Sequence, residues 1–267
     1  MKKLFMSIIA LALFAEADAQ SNFKEKTVYK DENVEFRQID EHTWHGNGNL
    51  CFNESVYLIE GENEAILLDA GVKIPNLKQI AESIAKKPVQ LVLTHLHGDH
   101  TGEVNQWDSV WINAADEVLI PEGMPTPKKK LMNDGMIFDL GGRTLEVVFV
   151  PGHTPGSTIF IDKDRHYGFS GDAFGSGNLL VFTDLSTVEV ACKRAKRFIE
   201  KYNIKYLYPG HYWGNNLETP QRVSDLEDLC DDILDGEKEG ATGDSSGWQY
   251  VLTERGVRIN YRDAQKR

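Results

Sequence analysis

His95, His97, Asp99 and His100 stand within six residues, in the stretch T-H-L-H-G-D-H-T-G at 94–102. Imidazole nitrogen and carboxylate oxygen both suit zinc, with bonds of about 2.0–2.2 Å. Alternate residues of an extended chain point to one side, so at a strand end His95, His97 and Asp99 can converge. Gly98 permits a tight turn, and His100 follows where the chain bends away. More donors recur in similar settings. His153 follows Pro151-Gly152, Asp172 follows Ser170-Gly171, and His211 follows Pro209-Gly210. Convergent donors at strand ends have one common use, a metal site. His42, His45 and His166 sit in no comparable setting and read as structural. No Ser-His-Asp or Cys-His pattern offers a competing nucleophile.

The elements that must position these residues alternate along the chain. Residues 64–71 (EAILLDAG) and 89–95 (VQLVLTH) are apolar runs expected of buried strands. Between them Leu77, Ile80, Ala81 and Ile84 recur at helical spacing, and Pro88 closes that helix. Further strands are expected at 109–113, in a pair around Gly141-Gly142 that includes 143–150, at 157–162, after Tyr167, and at 204–211. The longest helix is expected to begin at Ser186, with Ser186 and Glu189 as a capping box. A second helix starts at Thr219-Pro220 and turns Val223, Leu226, Cys230 and Ile233 inward. Residues 236–247 read as a mobile loop and 248–261 as a final hairpin. An apolar run ending in Asp-Ala occurs twice, at 67–71 and 170–175, which suggests two related halves.

Taken together, Asp69 in LLDAG, THLHGDH, PGHTPGS, SGDAF and PGH resemble, in order and rough spacing, the metallo-β-lactamase superfamily, most of all its glyoxalase II and lactonase-like branch. The resemblance implies an α/β fold, a four-layer αβ/βα sandwich of two mixed sheets flanked by helices. It implies one metal on His95, His97 and His153, a second on Asp99, His100 and His211, and Asp172 bridging both. Asp69 would orient the ligand-bearing loop. Seven donors are too many for one tetrahedral zinc, whereas a three-and-three split with a shared carboxylate leaves each ion an open position. The expected cofactor is Zn2+, two ions, with iron or manganese as alternatives.

The remaining features bound the function. Residues 1–19 have a basic start, an apolar run and an Ala17-Asp18-Ala19 cleavage pattern, and read as a signal peptide before a single domain at 20–267. An uncleaved anchor is the alternative. The expectation is therefore a periplasmic or secreted protein with no membrane association after cleavage. The net charge of −12 disfavours nucleic acid and leaves a small-molecule substrate as the partner. Cys192 and Cys230 read as buried free thiols, with a bridge as the alternative.

Two metals sharing a water make hydroxide available near neutral pH, and the expected reaction is attack on a carbonyl, with Asp99 steering the hydroxide or shuttling a proton. Esters, lactones, thioesters and β-lactam-like amides fit. Asp172 argues against a dedicated β-lactamase, because the antibiotic-hydrolysing subclass has Cys there. The rival is an iron-dependent, persulfide dioxygenase-like oxidoreductase. Residues 45–55 resemble a flap, and residues 121–135 an insertion whose Lys128, Lys129 and Lys130 form a solvated charge run or meet an anionic substrate. Trp44, Tyr57, Phe174, Tyr212 and Trp213 are candidates for the pocket wall.

Overall fold

The computed structural model describes residues 25–48, 50–120, 126–242, 247–253 and 256–267. The signal-peptide reading at 1–19 lies outside the described residues. A first sheet runs in chain order: β1 (Lys26–Lys30), β2 (Val34–Asp40), β3 (Thr43–Gly48), β4 (Ser55–Glu60), β5 (Ala65–Leu68), β6 (Val89–Val92), β7 (Ser109–Ile112) and β8 (Lys128–Leu131). Its first five strands form an antiparallel meander. The α1 helix (Leu77–Ala85) and later crossovers then make β5 to β8 parallel. The second sheet contains β9 (Ile137–Asp139), β10 (Thr144–Phe149), β11 (Thr158–Asp162), β12 (Tyr167–Gly171) and β14 (Tyr206–Pro209), in the order β14-β12-β11-β10-β9. Only β12 and β14 are parallel there.

Strand alternation explains the layering. Along β4, Tyr57 and Ile59 join a core shared with Leu145, Val147, Phe160 and Phe169 of the second sheet, whereas Val56 and Leu58 pack on the opposite side with Leu77 and Ala81 of α1. Val148, Ile159 and Ile161 face outward onto two helices, Leu185–Tyr202 and Pro220–Leu234. The result is the expected four layers, helix on sheet on sheet on helix. Parallel pairing occurs in both sheets, from β5 through β8 in the first and between β12 and β14 in the second.

Several local expectations need correction. The long helix starts one residue earlier than expected, and its cap is Asp184, whose carboxylate accepts from the Thr187 N–H at 2.8 Å. Ser186 is inside the first turn and hydrogen-bonds Asp184 itself, so the Ser186–Glu189 capping box does not form. Lys128, Lys129 and Lys130 belong to a strand and not to an irregular insertion: they begin the outer strand β8, largely exposed, as the solvated-run reading expects. Lys129 pairs with Glu117 and Lys130 lies over Trp111. Charged side chains on an edge strand discourage pairing with another chain. A third sheet was not anticipated: β13 (Asn178–Leu180) pairs with the final hairpin, β16 (Gln249–Leu252) and β17 (Arg258–Tyr261), and β15 (Ala241–Thr242) completes it within the segment expected to be a loop. Cys192 and Cys230 are buried and free. Among the described residues no helix is long and apolar enough to cross a membrane.

At one edge of the sandwich a buried arginine ties the sheets together. Arg143 Nε donates to Asp162 at 2.8 Å, and its other nitrogens reach the carbonyls of His42 and Glu60, Thr43 Oγ1 and Tyr167 Oη. These partners belong to β11, the β2–β3 turn, β4, β3 and β12. Replacing Arg143 by Met leaves Asp162 buried without its counter-charge, and urea unfolding should show a loss of about 3–5 kcal/mol.

Candidate metal centre

The other edge, at the carboxyl ends of β5, β6, β10, β12 and β14, gathers all seven predicted donors. His95 and His97 leave β6 on an extended path, and Leu96 between them turns into the core behind the sheet. The chain then makes one helical turn, Gly98–Thr101, which carries Asp99 and His100. Asp99 therefore reaches the cluster from a helical turn and not, as expected, by strand alternation. This separates Asp99 and His100 from His95 and His97 and sorts the four neighbours into two groups.

His95, His97 and His153 form one group of donor atoms within 4.8 Å of one another; Asp99, His100 and His211 form another. Across the first, His97 Nδ1 and His153 Nε2 are 2.9 Å apart. Asp172 lies between the groups. Its Oδ2 is 3.7 Å from His153 Nε2, 3.7 Å from His100 Nε2 and 3.3 Å from His211 Nε2. Gly210 makes this approach possible, since a Cβ there would stand 2.2 Å from Asp172 Oδ1. Asp69 also lies near His95 and His100, but its oxygens are taken. They accept from the Thr94 N–H and Oγ1–H at 2.7 and 2.8 Å and from His100 Nδ1–H at 2.9 Å.

The inward-facing atoms fit a cation. His95 Nε2, His100 Nε2 and Asp172 Oδ1 are buried without a hydrogen-bond partner. Buried polar atoms almost always have one, so three in a single cluster point to a common positive partner. The outer nitrogens agree. His153 Nδ1 donates to the Leu180 carbonyl at 2.7 Å and His211 Nδ1 to the Phe52 carbonyl at 3.1 Å. A carbonyl only accepts, so in the neutral rings Nε2 keeps its lone pair for the interior. An all-nitrogen-and-oxygen donor set suits zinc and other divalent ions.

Electrostatics divide the cluster in the same way. Burial pushes His95 well below the ordinary imidazole range, and pushes His153 down to about 4 against the pull of Asp172. Burial also opposes charge on His100 and His211, but Asp172 outweighs it, aided by Asp69 at His100 and by Asp99 at His211. His100 is raised and His211 reaches about 10. In turn His100 and His211 hold Asp172 well below the carboxylate range despite its burial.

Two contributors were missed in the sequence. Asp116, fully buried beyond β7, accepts hydrogen bonds from the segments on either side of the first group, and no motif marks it. Phe182 stands 5.0 Å from the His97 ring and 5.5 Å from Trp248, at the mouth of the cleft. Of the expected wall residues, Trp44, Tyr57, Phe174 and Tyr212 are buried in packing, and only Trp213 is exposed. His45 is buried on Ser55 Oγ and Tyr57, while His42 and His166 are exposed away from the cluster.

The sequence profile of the metallo-beta-lactamase superfamily matches residues 50–211. Human acyl-coenzyme A thioesterase MBLAC2 is 25% identical over 202 residues, covering 59% of this chain and 72% of that protein. Atrochrysone carboxyl ACP thioesterase of Aspergillus fumigatus is 26% identical over 162 residues, covering 59% of this chain and 50% of that protein. A metallo beta lactamase from Erythrobacter litoralis superposes with a TM-score of 0.60 at 18% identity, covering 77% of this chain and 99% of that one.

A metal ion binds neutral imidazole, so it must displace protons from the second group but not from the first. In the metal-free protein His153 is neutral above about pH 4, whereas His211 stays charged up to about pH 10. Zinc affinity at the second group should therefore fall as pH drops below about 10, while the first group, whose three imidazoles are all held below the ordinary range, should depend less on pH near neutrality. Calorimetric titration at pH 7 in buffers of different ionisation enthalpy should show at least about one proton released by one of two binding events and close to none by the other.

Proposed function

The chain belongs to the metallo-beta-lactamase superfamily, and from that premise we propose that it is a dinuclear zinc hydrolase of esters and thioesters with an apolar acyl group. The observation that carries the reading is the pair of donor groups sharing Asp172, with three buried donor atoms lacking any other partner. His95, His97 and His153 would hold the first ion, Asp99, His100 and His211 the second, and Asp172 both. When bound, such a pair supplies hydroxide near neutral pH and polarises a carbonyl. A single-iron centre, as in the oxidoreductase alternative, would leave one of the two donor groups without a role.

The chain's own side chains supply the rest. Asp99 is the most open of the acids, 26% exposed against 12% for Asp172. Burial opposes its charge, but His211 and His100 keep it ionised. It is placed to take a proton from an attacking water and return it to the leaving group. Substrate preference is carried by the rim. Phe182 is exposed against the His97 ring with Trp248 behind it, and the exposed Phe52 and Trp213 belong to the segments around His211, whose Nδ1 donates to the Phe52 carbonyl. Such a border suits an acyl chain. The thioesterase names of the human and fungal relatives support the same substrate class. The same proposal puts this activity outside the cytoplasm, on the basis of the leader-like pattern at residues 1–19.

The assay is metal counting with a panel of acetyl and octanoyl thioesters, aryl esters, lactones and cephalosporins. Wild type is expected to carry two zinc ions and to favour octanoyl over acetyl substrates. His95→Ala and Asp172→Ala should lose metal and drop turnover by more than about a hundredfold. Full turnover in either variant, or preference for cephalosporins over acyl esters, contradicts the reading.

A further inference from the structure

We infer that Asp116 is a positioning residue of the first donor group, His95, His97 and His153; the inference rests on the two-metal reading above. Asp116 sits in a 3-10 turn, Ala114–Leu119, that leaves β7 and is capped by Asn113. Its carboxylate is fully buried and both oxygens are engaged. Oδ2 accepts from the Leu96 N–H at 3.1 Å and from Thr154 Oγ1–H at 2.8 Å, and Oδ1 accepts from the Gly156 N–H at 2.5 Å. Leu96 lies between His95 and His97, and Thr154 directly follows His153. All three donors therefore belong to the two segments that carry the first group.

The carboxylate acts as a clamp between a segment of the first sheet and a segment of the second. Hydrogen bonds to an ionised acceptor are about twice as strong as neutral ones. The clamp fixes the spacing of His97 from His153, 2.9 Å between ring nitrogens. Room for it is built in: a Cβ on Gly156 would stand 2.5 Å from Asp116 Cγ. Asp69 is placed differently: it holds Thr94, which precedes His95, and also accepts from His100 Nδ1, so it spans the two groups and is the acid that touches a ring of the second. Asp116 touches only the segments of the first.

The test uses the full chain in single-site backgrounds, with zinc competed against a chromophoric chelator. In His211→Ala, which spares the first group, Asp116→Asn should weaken zinc binding about 10–100-fold. In His153→Ala, which spares the second, the same substitution should change it less than about threefold, while Asp69→Asn weakens it about 10–100-fold. Thr154→Val removes one of the three donors and keeps the acid, so it should weaken the first group by a smaller factor; it carries the test if Asp116→Asn does not fold by circular dichroism. Equal weakening of both groups, or none of the first in a folded variant, overturns the inference. A wild-type chain that binds no zinc overturns the two-metal reading instead.

Discussion

Seven donors gathered at one edge of the sandwich must be held in register by the structure around them. His97 and His153 bring two ring nitrogens to 2.9 Å, and Asp99 and Asp172 both pair with His211. These contacts still leave His95 Nε2, His100 Nε2 and Asp172 Oδ1 buried without a partner. The surrounding structure must therefore impose the geometry from outside. Burial alone would expel charged groups; a scaffold of buried hydrogen bonds keeps them in place.

That scaffold consists of connections between strand ends. Gly210 N–H donates to the Gly171 carbonyl and Ser55 N–H to the Gly210 carbonyl, which lock the His211 turn to the Asp172 turn and to the β3–β4 hairpin. Thr158 N–H donates to the Thr94 carbonyl and joins the two sheets just below His95. Asp69 and Asp116 then fix the side chains and loops above these joints. At the far edge Arg143 performs the same joining between β10, β11, β12 and the first sheet. The sandwich is thus pinned at both edges by polar groups, and its apolar middle sets the distance between the sheets.

The donor motifs were legible because metal ligands demand particular residue types at particular spacings, and strand ends punctuate those spacings with Pro-Gly or Ser-Gly. The buried strands were legible for the same kind of reason, since apolar runs such as AILL, and VQLV with its single polar Gln90, have few other uses. The N-terminal strands were harder to read. In β2, Val34 and Phe36 are buried between partly exposed acids and Arg37, a pattern that only the neighbouring strands make meaningful. The third sheet escaped because β13 is three residues long and its partner β17 is about 80 residues away. Asp116 escaped because one acid after Asn-Ala-Ala carries no periodic or spacing signal; only the arrival of Leu96 and Thr154 from two different sheets gives it a role.

The candidate donors sit at strand ends of the two large sheets. Phe182 follows β13 and Trp248 precedes β16, so the aromatic border of the cleft is carried by the small third sheet, outside the two halves that hold the motifs. That sheet packs on the long helices through Leu179, Val251 and Ile259, and it also meets the donor cluster. The Leu180 carbonyl at the end of β13 accepts from His153 Nδ1, and the Phe182 ring just beyond it stands against His97. The small sheet therefore helps to orient the first donor group while it carries the aromatic side chains beside it.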